Sequence, residues 1–181
     1  MNKAWKVLLL LSPLLWFNLA IAFLYAHFWC KARSWKLMGG VLTFIAAPRK
    51  DGTGSRLAFN PGAQGWSPIV GYCDELNRSR TDLRAHENTH VFQELVCAAI
   101  GLAVAVPCFV WGGLGWGLFV ASMGGPLFIV TYLGTFLINY IRTGFTIGWD
   151  FWAAYRAIPY EKHAYRVGDE YLDGKRPKAW V

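Results

Sequence analysis

Long apolar runs alternate with polar segments along the chain. Residues 7–30 contain no Asp, Glu, Lys or Arg, and neither do residues 95–141. One helix needs about 20 apolar residues to cross a bilayer's hydrocarbon core. The first run fits one span. The second is about twice too long and breaks at Trp111-Gly-Gly-Leu-Gly115, so it predicts two spans joined by a tight turn. Gly113 and Gly117 also match a GxxxG spacing, which reads as part of that turn. Gly124-Gly-Pro126 predicts a kink in the last span, packed against its neighbours. The first run exceeds the ~7–15 residues of a signal-peptide core and lacks a small-x-small site after it, so an uncleaved span is expected.

A hairpin at residues 95–141 places residues 31–94 and 142–181 on one membrane face, as one small polar domain. Within it, residues 40–46 (GVLTFIA) read as a strand, being β-branched and aromatic between glycine and proline signals. Residues 49–55 read as a turn, 56–59 as a returning strand, and 65–72 as loop or a third strand. Ser79-Arg-Thr-Asp82 has capping-box spacing, so a helix is expected from Thr81. Nothing stops that helix before the bilayer, although Pro107 can kink it. Residues 143–150 read as loop and 151–156 as a short helix. Pro159 suits the first turn of a second helix over residues 159–166, and residues 173–178 form a loose tail. The organisation is therefore 1–30 (span), 31–94 (strands and a helix), 95–141 (hairpin) and 142–181 (second helix). The fold class is mainly α, with about three transmembrane helices and a small α+β domain.

Composition supports the membrane class. The chain is 55% hydrophobic, against ~45–50% apolar in soluble domains. A net charge of +7 raises nucleic acid as a partner. However, Lys3, Lys6, Lys31, Arg33, Lys36 and Arg142 flank the spans, which argues against nucleic acid and for the lipid bilayer. The positive-inside rule puts the Lys31 face in the cytoplasm. Trp5, Trp16, Trp29, Trp35, Trp111 and Trp116 mostly lie near span ends, as in an aromatic belt. The four cysteines form no CxxC pair, which excludes a cysteine zinc site and a dithiol redox motif.

The candidate chemistry lies in His86-Glu-Asn-Thr-His90. Residues four apart share a helix face, and two imidazoles so placed can hold one Zn²⁺. Glu87, about a quarter turn away, is placed to serve as general base toward water. A catalytic zinc takes three protein ligands. Asp150, Glu161, His163, Asp169 and Glu170 are candidates for the third, with Glu161 preferred and His163 next. Glu94 lies ~6 Å beyond His90 by helix rise and reads as the last polar residue before the bilayer. Tyr155, Tyr160, His163, Tyr165 and Arg166 are possible oxyanion donors, and Asp169 or Glu170 could orient a ligating imidazole. The strand at residues 40–46 could take a peptide by β-addition. The bland alternatives are two exposed histidines on a polar helix and an ordinary N-terminal acid at Glu161.

His86-Glu-Asn-Thr-His-Val-Phe-Gln93 resembles the zinc helix of gluzincin metallopeptidases, notably small members with an HExxHxxQ pattern. Ile158-Pro-Tyr-Glu-Lys-His-Ala-Tyr165 resembles their second, glutamate-bearing helix. The resemblance covers about 25 residues in two pieces. It implies a zincin-like domain with His86, His90 and Glu161 as zinc ligands and Glu87 as catalytic base. The expectation is a multi-pass membrane zinc metalloendopeptidase acting on a peptide or protein near the membrane. The competing expectations are a non-enzymatic accessory protein and a metal-binding membrane protein without hydrolysis.

Overall fold

The structure, a computed structural model, describes residues 16–38, 41–50, 56, 63–67, 70–74 and 80–175. It is mostly helical, with one small sheet. Helix α1 (Trp16–Leu24) runs into a π-helical turn, Tyr25–Trp29. Small residues on one face of this segment, Ala22, Ala26 and Cys30, let it pack directly on Ala46 of the sheet. Much of the first apolar run, residues 7–15, lies outside the described residues.

The sheet has four strands: β1 (Ser34–Met38), β2 (Val41–Ala46), β3 (Ala63–Ser67) and β4 (Val70–Asp74), in the order β1-β2-β4-β3. β1 and β2 pair antiparallel, from Ser34 opposite Ile45 to Met38 opposite Val41. β2 pairs parallel with β4, and β3 closes antiparallel on β4 with a bulge between Gly65 and Ser67. The expected strand at 40–46 is therefore present as β2, but it is interior. Both of its edges are hydrogen-bonded, so a peptide cannot add there. The region 65–72, expected as loop or one strand, contributes to two strands. The expected returning strand at 56–59 lies outside the described residues except for Arg56, which is in a bend.

Helix α2 (Thr81–Ser122) carries HENTH near its start. The expected serine cap is not what begins it: Arg80 occupies the N-cap position and makes no capping bond. Val41 of β2 packs against Val91, Leu95 and Ala98, fixing the sheet to the helix just beyond His90. Pro107 does not end α2. The break comes at Gly113, whose φ of 78° is readily adopted only by glycine. There the chain reverses: a Cβ on Gly117 would strike the Phe109 ring, one on Gly101 would meet Gly124 and Ala121, and one on Gly124 would come within 2.5 Å of Ala98 Cα. These contacts march back along α2 in antiparallel order. Helix α3 (Gly124–Thr146) continues the returning arm. It runs four residues past Arg142, into the stretch expected as loop, because nothing breaks it before Gly148 (φ 87°).

Helix α4 (Phe151–Arg156) starts at Asp150, whose Oδ1 accepts from Ala153 N at 2.9 Å. Helix α5 (Pro159–Leu172) has Pro159 in its first turn and is longer than expected. It packs along α2 with Ala164, Val167 and Gly168 inward. A Cβ on Gly168 would lie 3.3 Å from Asp82 O, so the two backbones approach closely. The helical stretch Asp82–Thr146 is long and apolar enough to cross a membrane. Only 28% of its most apolar window is buried, whereas the core helix of a soluble domain is mostly covered.

Candidate metal centre

α2 presents His86 and His90 one turn apart, with ring centroids 4.9 Å from each other. α5 brings Glu161, in its first turn, against both. His86 Nε2 and His90 Nε2 are 3.2 Å apart. Glu161 Oε2 lies 3.3 Å from His86 Nε2, and Oε1 lies 3.2 Å from His90 Nε2. All three residues are buried, and their ligand atoms fall within 4.8 Å of one another, a group that could hold a metal ion. Ligands at 2.0–2.1 Å on the corners of a tetrahedron stand about 3.3–3.4 Å apart, close to these separations. Glu161 Oε2 is buried and accepts no hydrogen bond. An acceptor left bare in the interior is costly, and a cation at the convergence point would satisfy it. The donor set therefore fits a borderline-soft divalent metal.

Gln93 supplies an orientation that the sequence reading assigned to Asp169 or Glu170. Its Nε2 donates to Tyr160 O at 3.0 Å, and a carbonyl can only accept. That fixes the amide, so Oε1 faces His90 Nδ1 at 2.9 Å and accepts its proton. Neutral His90 must then offer the Nε2 lone pair to the centre. The second Nε2 proton of Gln93 points to His163 Nδ1 at 3.2 Å. His163 is thus a partner of Gln93 and is not among the three converging residues.

The other expected candidates lie elsewhere. Asp150 caps α4. Asp169 is exposed, and Glu170 is 3.9 Å from Arg166 on the surface. Glu94 is buried and accepts from Asn18 Nδ2 at 2.6 Å. Glu87 is half-buried beside His86, close enough that its charge contributes to raising the Tyr165 pKa.

Tyrosines wall the centre. Tyr132 donates to Glu161 Oε1 at 2.5 Å, and the Tyr165 ring stacks edge-on to His86. Tyr160 Oη lies 2.9 Å from Thr131 Oγ1. Burial, then the Glu161 charge, push the Tyr155 hydroxyl far above its usual range; the same two causes raise Tyr165. Burial alone would raise the Glu161 carboxyl, but the adjoining imidazoles of His86 and His90 outweigh it and hold it well below the ordinary carboxylate range. Tyr132 was missed in the sequence. The signal was Thr131-Tyr132, a polar pair inside an uncharged run.

Comparisons with protein-family models, with curated proteins and with solved structures found no match for this chain.

Proposed function

We propose that this chain is an integral membrane zinc metallopeptidase that hydrolyses peptide bonds beside the bilayer. One observation carries the reading. Two histidines of an H-E-x-x-H helix and a glutamate more than 70 positions away meet at separations suited to one tetrahedral ion. The reading takes the fold as a zincin-like α+β unit combined with about three membrane spans. The site faces the cytoplasm, on the side of Lys31, Arg33, Lys36 and Arg142.

In this reading His86, His90 and Glu161 hold zinc, with Gln93 orienting His90. Zinc bound there supplies Lewis acidity toward the substrate carbonyl and toward water. Glu87 accepts the proton of the water that attacks the carbonyl carbon, and delivers it to the departing amine nitrogen as the C–N bond breaks. Tyr155 and Tyr165 carry their protons at neutral pH, as tyrosines do, so either can donate to the developing oxyanion.

The test is metal content and turnover of detergent-purified protein, with and without Glu87→Gln. The expected result is about one zinc per chain in both, with turnover of a quenched peptide library about 10²–10⁴-fold lower in the variant. Equal turnover in the two would remove Glu87 as base. Zinc with no turnover in either would leave a metal-binding membrane protein, and no zinc after reconstitution an accessory protein.

A further inference from the structure

Outside the metal centre, the least expected surface is the corner joining α3 to α4. Phe145, Ile147, Trp149, Phe151 and Trp152 are all exposed there, Phe145 at 83% and Trp149 at 62%. Exposed Arg142 and Arg156 flank them. At the opposite end of the returning arm, the hairpin tip exposes Trp111 and Trp116, at 85% and 63%. The α3 face between the two ends carries exposed Val130, Leu133, Leu137 and Ile138.

The depth of the corner along α3 follows from ring contacts. Phe151 packs on Phe136 with centroids 5.1 Å apart, and Trp149 on Tyr140 at 5.2 Å. At 1.5 Å rise per residue, Trp116 is about 30 Å from Phe136 and about 36 Å from Tyr140. The hydrocarbon core is about 30 Å thick, and tryptophan belts mark its two interfaces. The tip and the corner are therefore spaced as a pair of belts. Two arginines beside the second belt suit lipid phosphates. Tyr132, bonded to Glu161, lies one turn from Phe136 and two from Tyr140, hence about 6–12 Å to the hydrocarbon side of this belt. α5 meanwhile exposes Lys162, Arg166 and Asp169. The centre thus has a wall with an apolar outer face on α3 and a wall with a charged outer face on α5.

We propose that residues 142–156 form an interfacial anchor that seats in the lipid headgroup layer and holds the metal centre just inside the hydrocarbon boundary. The anchor rests on the membrane reading, and its consequence for substrates rests also on the peptidase reading. That consequence is specific. An extended chain rises about 3.3 Å per residue, so 6–12 Å corresponds to about two to four residues. The site takes the end of a membrane-spanning peptide segment, at bonds about two to four residues inside the hydrocarbon boundary.

The test uses the full chain in phosphatidylcholine nanodiscs, with lipids brominated either high on the acyl chains or near their methyl ends. The tryptophan emission removed by Trp149→Phe with Trp152→Phe should be quenched more by the shallow bromines. So should the emission removed by Trp111→Phe with Trp116→Phe. Val130→Trp should add emission quenched more by the deep bromines. Quenching at the tip and at position 130, with none at the corner, overturns the anchor while leaving the span intact. No quenching at any of them overturns the membrane reading itself. Zinc content of the same samples reports separately on the metal centre. For the substrate, a single-span peptide whose cleavable bond lies about two to four residues inside the end of its span should be cut at least about tenfold faster than one carrying the same bond beyond a flexible Gly/Ser spacer. Equal rates overturn the depth assignment.

Discussion

Helix α2 buries two carboxylate environments about one helical turn apart, and they differ in kind. At His90, Glu161 meets two imidazoles and a tyrosine hydroxyl. One turn on, Glu94 is buried as deeply, also with one bare oxygen, but accepts from a single amide, Asn18. Burial of an acid does not by itself make a metal site. What distinguishes the first region is convergence: three lone-pair donors from two helices aim at one point. The Glu94 region is a fastening, tying α1 to α2 among Val91, Leu95 and Ala98.

The sharpest way to separate the regions is to remove each acid. Glu161→Ala should lower zinc affinity by more than the ~10–100-fold that loss of an outer partner costs, measured by competition with a chromogenic chelator. Glu94→Ala should leave zinc content unchanged. Gln93→Leu should weaken zinc binding about 10–100-fold with helicity retained. Gln93→Glu should recover part of that, since a carboxylate oxygen still accepts from His90 Nδ1 although the donor to Tyr160 O is lost; equal losses in both would deny Gln93 its orienting part. Acid should act in two stages. Ligating imidazoles must be neutral, so protons compete with zinc and acidification should release the metal. Glu161 has a depressed pKa in the fold, so its contribution to holding α5 on α2 is complete above its unperturbed 4.5 and is lost as pH drops further. Metal release and loss of helix docking should therefore separate in a pH titration followed by zinc content and near-UV dichroism. The smallest effect should fall on Glu94. Its alanine variant leaves Asn18 unpaired and should cost about 1–3 kcal/mol in chemical denaturation, whereas Glu94→Gln keeps an acceptor for Asn18 and should cost less.

Local signals made part of this molecule readable. The i, i+4 histidines, the glycine break at residues 111–115, and a proline opening the helix that bears Glu161 each act within a few residues, so the sequence points straight at them. β2 was visible for the same reason. Its position inside the sheet was not, because the parallel pairing with β4 joins segments far apart in the chain. β1 was missed because SWKLM reads as basic juxtamembrane chain; only pairing with β2 makes it a strand. Tyr132 was hidden by the run that contains it. Gln93 sits three residues after His90, on the same face, but its meaning depends on a carbonyl 67 positions away.

The glycine at position 124 has a reach beyond its own contact. Its backbone rests against Cys97 and Ala98, with no room for a side chain. Eight residues farther along α3, about 12 Å by helix rise, Tyr132 meets Glu161. The thickness of a missing methyl group thus gauges where a hydroxyl arrives at the candidate metal centre, and a hairpin spread open at Gly124 would carry Tyr132 off Glu161 without any change to the site's own residues.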